Sequence, residues 1–158
     1  APRTTTPSLG AVQYSAAALT PLSGTYTVGT GQTYTTINQA INAMRTNGIS
    51  GPVIFQLASQ TFNEQFVLPS ISGSSATNTI TFQSQTGNPA DVILTFSATA
   101  TATNYVAQLS NAAYVTFRNL TFQPAGTNFN RAIWGVNRAT NITFENLRIT
   151  LPTTTSIT

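Results

Sequence analysis

The chain has 158 residues, enough for one domain with a substantial core, and 41% of them are hydrophobic. Only 6% are charged, and the net charge of +3 comes from six scattered arginines without lysine, so we expect no nucleic-acid binding. The absence of cysteine excludes disulfides and thiolate metal sites, and no run approaches the ~20 apolar residues of a membrane span.

Residues 1–23 contain Pro2, Pro7 and Pro21 among Thr, Ser and Ala. Prolines at this density disfavour a helix, so we expect an extended N-terminal arm over 1–23 and a folded region over 24–158. The chain starts with neither methionine nor an apolar signal segment. This start is typical of a processed secreted protein, and we expect an extracellular or cell-surface location.

The first regular elements follow the arm. Gly24–Val28 is a short β-branched and aromatic run, after which the apolar spacing becomes helical. Thr33 or Thr35 can supply an N-cap and Asn47-Gly48 is a C-cap signal, which predicts one helix near Thr33–Thr46. The apolar positions of this helix are Tyr34, Ile37, Ala40, Ile41 and Met44.

After Pro52 the sequence is typical of short strands, separated by clusters of Ser, Gly, Asn and Pro that favour turns. The predicted strands are Val53–Leu57, Phe66–Leu68, Thr79–Gln83, Val92–Phe96, Tyr105–Leu109, Tyr114–Phe122, Ala132–Val136 and Ile142–Thr150.

These strands belong to an internal repeat. Tyr114–Phe122 recurs as Asn141–Ile149 at an offset of 27 residues, and Val53–Gln56 recurs as Ile80–Gln83 at the same offset. The step between the two pairs is 35 residues, which we interpret as one rung with a loop insertion.

A repeat of this length, with several short strands and no second helix, predicts the fold class. We expect an all-β fold, a right-handed parallel β-helix (solenoid) with an N-terminal amphipathic capping helix. Phe117 should lie over Phe144 and Asn119 over Asn146, in columns spaced ~4.8 Å apart. We interpret the two asparagines as corner residues in left-handed geometry.

No second cap follows Ile149, so we expect the last rung to be open. Its apolar residues Phe144, Leu147 and Ile149 form a predicted assembly edge. Either further rungs of the same protein or the N-terminal arm of a second copy would cover this edge.

The stretch from Tyr34 to Ile149 resembles the N-terminal part of pectin-lyase-like β-helices, including the pectin methylesterases. The matching segments are Tyr34–Ile41, Thr61–Gln65 and Tyr114–Phe122. Leu22–Gly31 and Gly48–Val53 are also similar to elements of the large secreted β-helix proteins of Bacteroidota. That second likeness implies a surface protein exported by type IX secretion.

The resemblance to methylesterases implies a catalytic set of Gln, Gln, Asp, Asp and Arg. The first Gln would align near Arg131 and is missing, and the remaining members would lie mostly beyond Thr158. We therefore expect no catalytic, cofactor-binding or metal-binding residues in this chain.

The few charged residues support the same expectation. The three carboxylates, Glu64, Asp91 and Glu145, share no motif, whereas glycoside hydrolysis needs a facing pair and a calcium site needs several. The absence of histidine excludes Ser-His-Asp catalysis. Arg118 and Glu145 are 27 residues apart, which predicts an exposed ion pair between adjacent rungs.

Four aromatic residues are candidate carbohydrate contacts, because an aromatic face suits the apolar face of a pyranose. They are Tyr105, Tyr114, Phe129 and Trp134. The alternative is structural packing: at an offset of 27, Trp134 falls over Ala107 and faces inward. We favour packing.

Two functions follow from these observations. Scarce charge, the missing catalytic set and the open rung favour a non-enzymatic extracellular structural or adhesion module, assembling through its arm and last rung. The alternative is the N-terminal part of a polysaccharide-active enzyme, similar to pectin lyases or esterases, whose active site lies beyond residue 158. The expected partners are the protein itself, its own further rungs or a polysaccharide, without membrane insertion.

Overall fold

The structure, a computed structural model, describes residues 19–126 and 128–152. These residues form twelve β-strands and an α-helix of 11 residues, and all strand pairs between them are parallel. Most of the predicted arm, residues 1–18, lies outside the described residues. The first strand begins at Leu22, slightly before the predicted start of the folded region.

The strands form three sheets, which the chain visits in the same order in every turn. The five-stranded sheet contains β1 (Leu22–Val28), β2 (Ile49–Leu57), β5 (Ile80–Ser84), β8 (Ala113–Arg118) and β11 (Thr140–Glu145). The four-stranded sheet contains β3 (Gln60–Asn63), β6 (Val92–Phe96), β9 (Thr121–Pro124) and β12 (Arg148–Ile149). The three-stranded sheet contains β4 (Phe66–Leu68), β7 (Ala107–Ser110) and β10 (Ile133–Val136). The predicted all-β parallel β-helix is confirmed.

The register of the five-stranded sheet follows the sequence repeat. Phe82 pairs with Phe117, and Phe117 pairs with Phe144. The longer step of 35 residues contains two long connections, residues 85–91 between β5 and β6 and residues 97–106 between β6 and β7, each with a short 3-10 turn. The corresponding corner between β8 and β9 has only two residues. The predicted insertion is therefore confirmed, and it leaves the register intact.

An aromatic column runs through the interior of the β-helix on the five-stranded sheet. It consists of Tyr26, Phe55, Phe82, Phe117 and Phe144, whose successive ring centroids are 5.9, 5.0, 5.5 and 6.1 Å apart. The three middle rings are at most 1% exposed. Each aromatic contact contributes about 0.5–1.5 kcal/mol beyond the burial of its area, so the column fixes the stacking of the rungs.

Two corners between the five- and four-stranded sheets, those that follow β8 and β11, begin with asparagine. Asn119 and Asn146 have φ values of 54° and 48°, in the left-handed region that asparagine tolerates better than most residues. The Asn146 amide Nδ2 donates a hydrogen bond of 2.8 Å to Asn119 Oδ1. The predicted stacking of these two residues is confirmed.

The helix α1 (Ile37–Asn47) begins four residues after the predicted start at Thr33, because its N-cap is Thr36 rather than Thr33 or Thr35. The Thr36 hydroxyl accepts a hydrogen bond from a backbone N–H of the first turn. At the other end Gly48 has a φ of 72°, as expected for the predicted C-cap.

One face of α1 is apolar and packs against β1 and β4. Its residues Ile37, Ala40, Ile41 and Met44 are each at most 2% exposed, and the polar residues between them face away from the core. The apolar positions that recur at helical spacing in the sequence are therefore the buried positions of α1. No helix in residues 19–126 and 128–152 is long and apolar enough to cross a membrane.

Candidate functional site

The three-stranded sheet presents an outward face that carries the candidate site. Val67 pairs with Gln108, and Gln108 pairs with Trp134, so these three side chains form one column across β4, β7 and β10. Neighbouring residues of the same strands, such as Leu68 and Leu109, are buried in the core. Because side chains alternate between the faces of a strand, the column of Val67, Gln108 and Trp134 points away from the core.

This arrangement corrects the predicted position of Trp134. Ala107 pairs with Ile133, an offset of 26 residues, whereas the prediction used 27 and placed Trp134 over Ala107. A shift of one residue exchanges the two faces of a strand. The predicted inward packing of Trp134 is therefore wrong.

The offset falls from 27 residues at Asn104 and Arg131 to 26 at Ala107 and Ile133. The corner that follows β10 reverses this shift. It contains three residues before β11, whereas the corner between β7 and β8 contains two. Asn137 and Arg138 both have positive φ values, 53° and 64°, at the longer corner, and Asn111 has a φ of 56° at the shorter one. The extra residue restores the offset of 27 by the start of β11.

Trp134 is half-buried and is held by two neighbours. The guanidinium carbon of Arg131 lies 4.5 Å from the centre of the Trp134 ring system, and the Tyr105 ring centroid lies 5.8 Å from it. A guanidinium over an indole is a favourable cation–π contact of about 0.5–1 kcal/mol at an exposed site. Arg131 itself is exposed.

The surrounding loops fix this group from behind. The backbone N–H of Arg131 donates to Asn104 Oδ1 at 3.0 Å. The Gln65 amide donates hydrogen bonds of 2.7 Å to two backbone carbonyls, one of them that of Tyr105. Tyr105 is 8% exposed, so it supports Trp134 rather than offering its own face. Asn104 and Arg131 are 27 residues apart, so the repeat already contained a signal for their contact that the sequence reasoning missed.

Of the four candidate aromatic residues, the structure therefore brings together Tyr105 and Trp134. Tyr114 lies at the start of β8 with a φ of 58°, and the equivalent residue of β11 is Asn141, with a φ of 52°. Phe129 is half-buried in the loop between β9 and β10. In the described ranges neither Tyr114 nor Phe129 makes a ring contact with Trp134.

The carboxylate of Glu64 holds the N-terminus of α1. It accepts hydrogen bonds from the backbone N–H groups of Ile37 and Asn38, at 2.8 and 3.1 Å, and from the Asn38 amide at 2.7 Å. A carboxylate at this position satisfies free N–H groups and interacts favourably with the helix dipole. These contacts give Glu64 a structural role.

The other two carboxylates also make local contacts. Asp91 accepts hydrogen bonds from Thr86 Oγ1 at 2.6 Å and from the Asn88 amide at 2.9 Å. Glu145 accepts one of 2.7 Å from Arg118 Nε, which confirms the predicted ion pair, and the two side chains are 51% and 44% exposed. Among the described residues no three acidic, histidine or cysteine side chains lie together as a metal site would require.

The last rung exposes apolar surface. Phe144 is 51% exposed and Ile149 57%, and both line an open cavity of about 490 Å³ together with Leu147, Ile142 and Gly135. Phe144, Leu147 and Ile149 are the residues of the predicted assembly edge. Their exposure is a property of the structure, and their role in assembly stays a prediction.

Comparison with known proteins gives one informative likeness. No protein-family model matches the chain, and no curated protein sequence matches it. The structure is similar to the crystal structure of the pectin methylesterase from Aspergillus niger in its deglycosylated form, with a TM-score of 0.62 and 18% sequence identity. The alignment covers 84% of this chain and 44% of that one, so this chain spans less than half the length of the methylesterase.

At 18% identity this likeness shows the fold alone, a parallel β-helix that this chain shares with the methylesterase. It also contradicts the predicted non-enzymatic structural or adhesion module, because the matching protein is a polysaccharide-active enzyme. The alternative prediction agrees better with this finding.

Proposed function

We propose that the chain forms the N-terminal rungs of a polysaccharide-active β-helix protein. The outward face of the three-stranded sheet contacts the sugar chain, and the catalytic residues lie on rungs beyond residue 158. The observation that carries this proposal is the outward position of Trp134 with Arg131 against its ring system.

The chemistry of this face suits a sugar polymer. A partly exposed indole offers a flat apolar surface to a pyranose ring, and a guanidinium offers several fixed donors to hydroxyl or carboxylate oxygens. Arg131 precedes β10 and Arg138 follows it, and both are exposed, so positive charge lies at both ends of the strand that carries Trp134. An acidic polysaccharide therefore fits this face better than a neutral one.

The helix supports the N-terminal position of these rungs. The buried residues Ile37, Ile41 and Met44 of α1 lie where the β-helix would otherwise expose the apolar interior at its first turn. We propose that α1 caps this end of the solenoid, as terminal repeats of such proteins require.

The test uses Trp134, the single tryptophan of the chain, as its own reporter. Titration with polygalacturonate should change the tryptophan fluorescence, and dextran should not. In affinity electrophoresis through polygalacturonate gels, Trp134→Ala should weaken binding about tenfold, equivalent to ~1.4 kcal/mol.

The matched control is Tyr114→Asn. It also removes an aromatic ring, but asparagine already occupies the equivalent place in the next rung at Asn141, so the left-handed backbone is preserved. This variant should bind as the unchanged chain does. Equal binding by Trp134→Ala and the unchanged chain, or equal affinity for both polymers, would contradict the proposal.

We also propose that the protein is exported to the cell surface or the medium, by type IX secretion in a bacterium of the Bacteroidota. The low charge and the polar Thr- and Asn-rich surface support an extracellular location. Immunoblotting of culture medium and of intact, protease-treated host cells should place the protein outside the cytoplasm. Protein confined to the cytosolic fraction would contradict this location.

A further inference from the structure

The open rung consists of β10, β11 and β12, and each of these strands is the last strand of its sheet. One edge of each strand therefore carries backbone N–H and C=O groups without a strand partner among the described residues. Beside these edges, Phe144 and Ile149 are more than half exposed, whereas their equivalents one rung earlier, Phe117 and Phe122, are fully buried. The same column positions thus change from core to surface within one rung.

We infer that the open rung is a docking surface for one further parallel rung, whose inward side chains the existing columns specify. This inference rests on the proposed function only in placing the occupant in the longer polypeptide of a β-helix protein. The alignment with 44% of a longer β-helix chain supports that source.

In two inward columns larger and smaller side chains alternate from rung to rung. This alternation specifies which side chains the next rung should carry. On the five-stranded sheet one column reads Val53, Ile80, Val115 and Ile142, which favours valine next. On the four-stranded sheet a second column reads Phe62, Leu94, Phe122 and Ile149, which favours phenylalanine next. Large and small residues that alternate between layers fill an interior without voids.

The three-stranded sheet adds a third requirement. Its inward column reads Leu68, Leu109 and Gly135, and Gly135 lines the open cavity of about 490 Å³. A glycine beneath this cavity leaves room that a large side chain from above would fill. The occupant therefore carries a bulky apolar residue over Gly135 and an aromatic residue over Phe144.

A second copy of the chain does not fit this surface. In a head-to-tail stack its first turn would have to approach, but α1 covers that end with Ile37, Ile41 and Met44. In a two-fold contact its strands would run antiparallel to β11, whereas the Asn146 amide donates a hydrogen bond to Asn119 of the parallel rung below. A further parallel rung has the same strand direction as β11 and can extend this column of side-chain hydrogen bonds.

The chain supplies its own probe. An extra rung is designed by adding two copied segments directly after Ile149: a copy of residues 123–139, then a copy of residues 113–124. In this extension the copies of Val115, Phe117 and Phe122 lie over Ile142, Phe144 and Ile149. The copy of Gly135 in this extension is changed to leucine. The control extension has serine or threonine at the inward copies of Val115, Phe117, Leu120 and Phe122.

The extended chain should melt at least about 5 °C above the 158-residue chain and should bind less of a hydrophobic dye such as ANS. The polar control should show neither change. An equal melting temperature for both extensions would overturn the inference. So would a stable dimer of the 158-residue chain in sedimentation experiments that Phe144→Asp dissociates, because a second copy would then cover the rung. Polygalacturonate binding by Trp134 is measured separately, so failure of one proposal is distinguishable from failure of the other.

Discussion

Tyr34 lies at the first end of the β-helix, where its ring is 5.9 Å from that of Tyr26 and 6.0 Å from that of Phe55. Burial, and to a lesser extent the neighbouring Tyr26, raises the pKa of Tyr34 above its usual value. The folded state therefore keeps this phenol neutral at a pH where the unfolded chain already ionises it. Stability from Tyr34 is complete below the unfolded pKa of about 10 and is lost as the pH rises through the folded value.

The alkaline range is simple to interpret in this protein, because it contains neither lysine nor cysteine and has only five tyrosines. We expect the free energy of unfolding, measured with urea at pH 8 to 11.5, to fall above about pH 10. Tyr34→Phe should reduce this fall. Identical pH profiles for Tyr34→Phe and the unchanged chain would contradict the assignment.

Among the elements, α1 depends on a partner from another part of the chain. Glu64 lies between β3 and β4, yet its carboxylate satisfies the first two backbone N–H groups of the helix, and Thr36 satisfies the third. Replacing this half-buried carboxylate by an amide removes a charge and substitutes a donor where an acceptor is needed.

We therefore expect Glu64→Gln to lower the free energy of unfolding by about 1–2 kcal/mol, measured by urea denaturation at pH 7. Glu145→Gln is the matched control, because it changes the same group in an exposed ion pair worth at most about 0.2–1 kcal/mol. A loss no larger for Glu64→Gln than for Glu145→Gln would show that the helix does not need its carboxylate.

The elements also show where sequence patterns are sufficient and where they fail. Strands of the five-stranded sheet were predictable because their alternating apolar residues repeat at a fixed offset, as Phe117 and Phe144 do. The strand β3 was missed, because Gln60–Asn63 has only four residues and only Phe62 among them is apolar and buried. Tertiary pairing with β6, rather than local preference, makes this segment a strand.

At the scale of the whole molecule, the repeat predicted the stacking of rungs but not the site. Trp134 points outward because the offset between rungs falls from 27 residues at Asn104 and Arg131 to 26 at Ala107 and Ile133. The left-handed corner at Asn137 and Arg138 then restores the offset of 27. No hydropathy pattern encodes that difference, since Ala132–Val136 is apolar in either register. The contact of Arg131 with Trp134 depends on the same shift and was therefore invisible to the sequence reasoning.

The loop at residues 85–91 has a consequence for how such chains diverge. Residues added at that corner leave Phe82 paired with Phe117, so evolution can lengthen or replace the outer loops without changing the inner columns. The connections between strands of the five- and four-stranded sheets differ in length, from two residues after β8 to seven after β5, while the column positions stay apolar. Sequences built this way lose detectable similarity long before their backbones cease to superpose. That explains how a chain matching no family model can still share a TM-score of 0.62 with a protein only 18% identical to it.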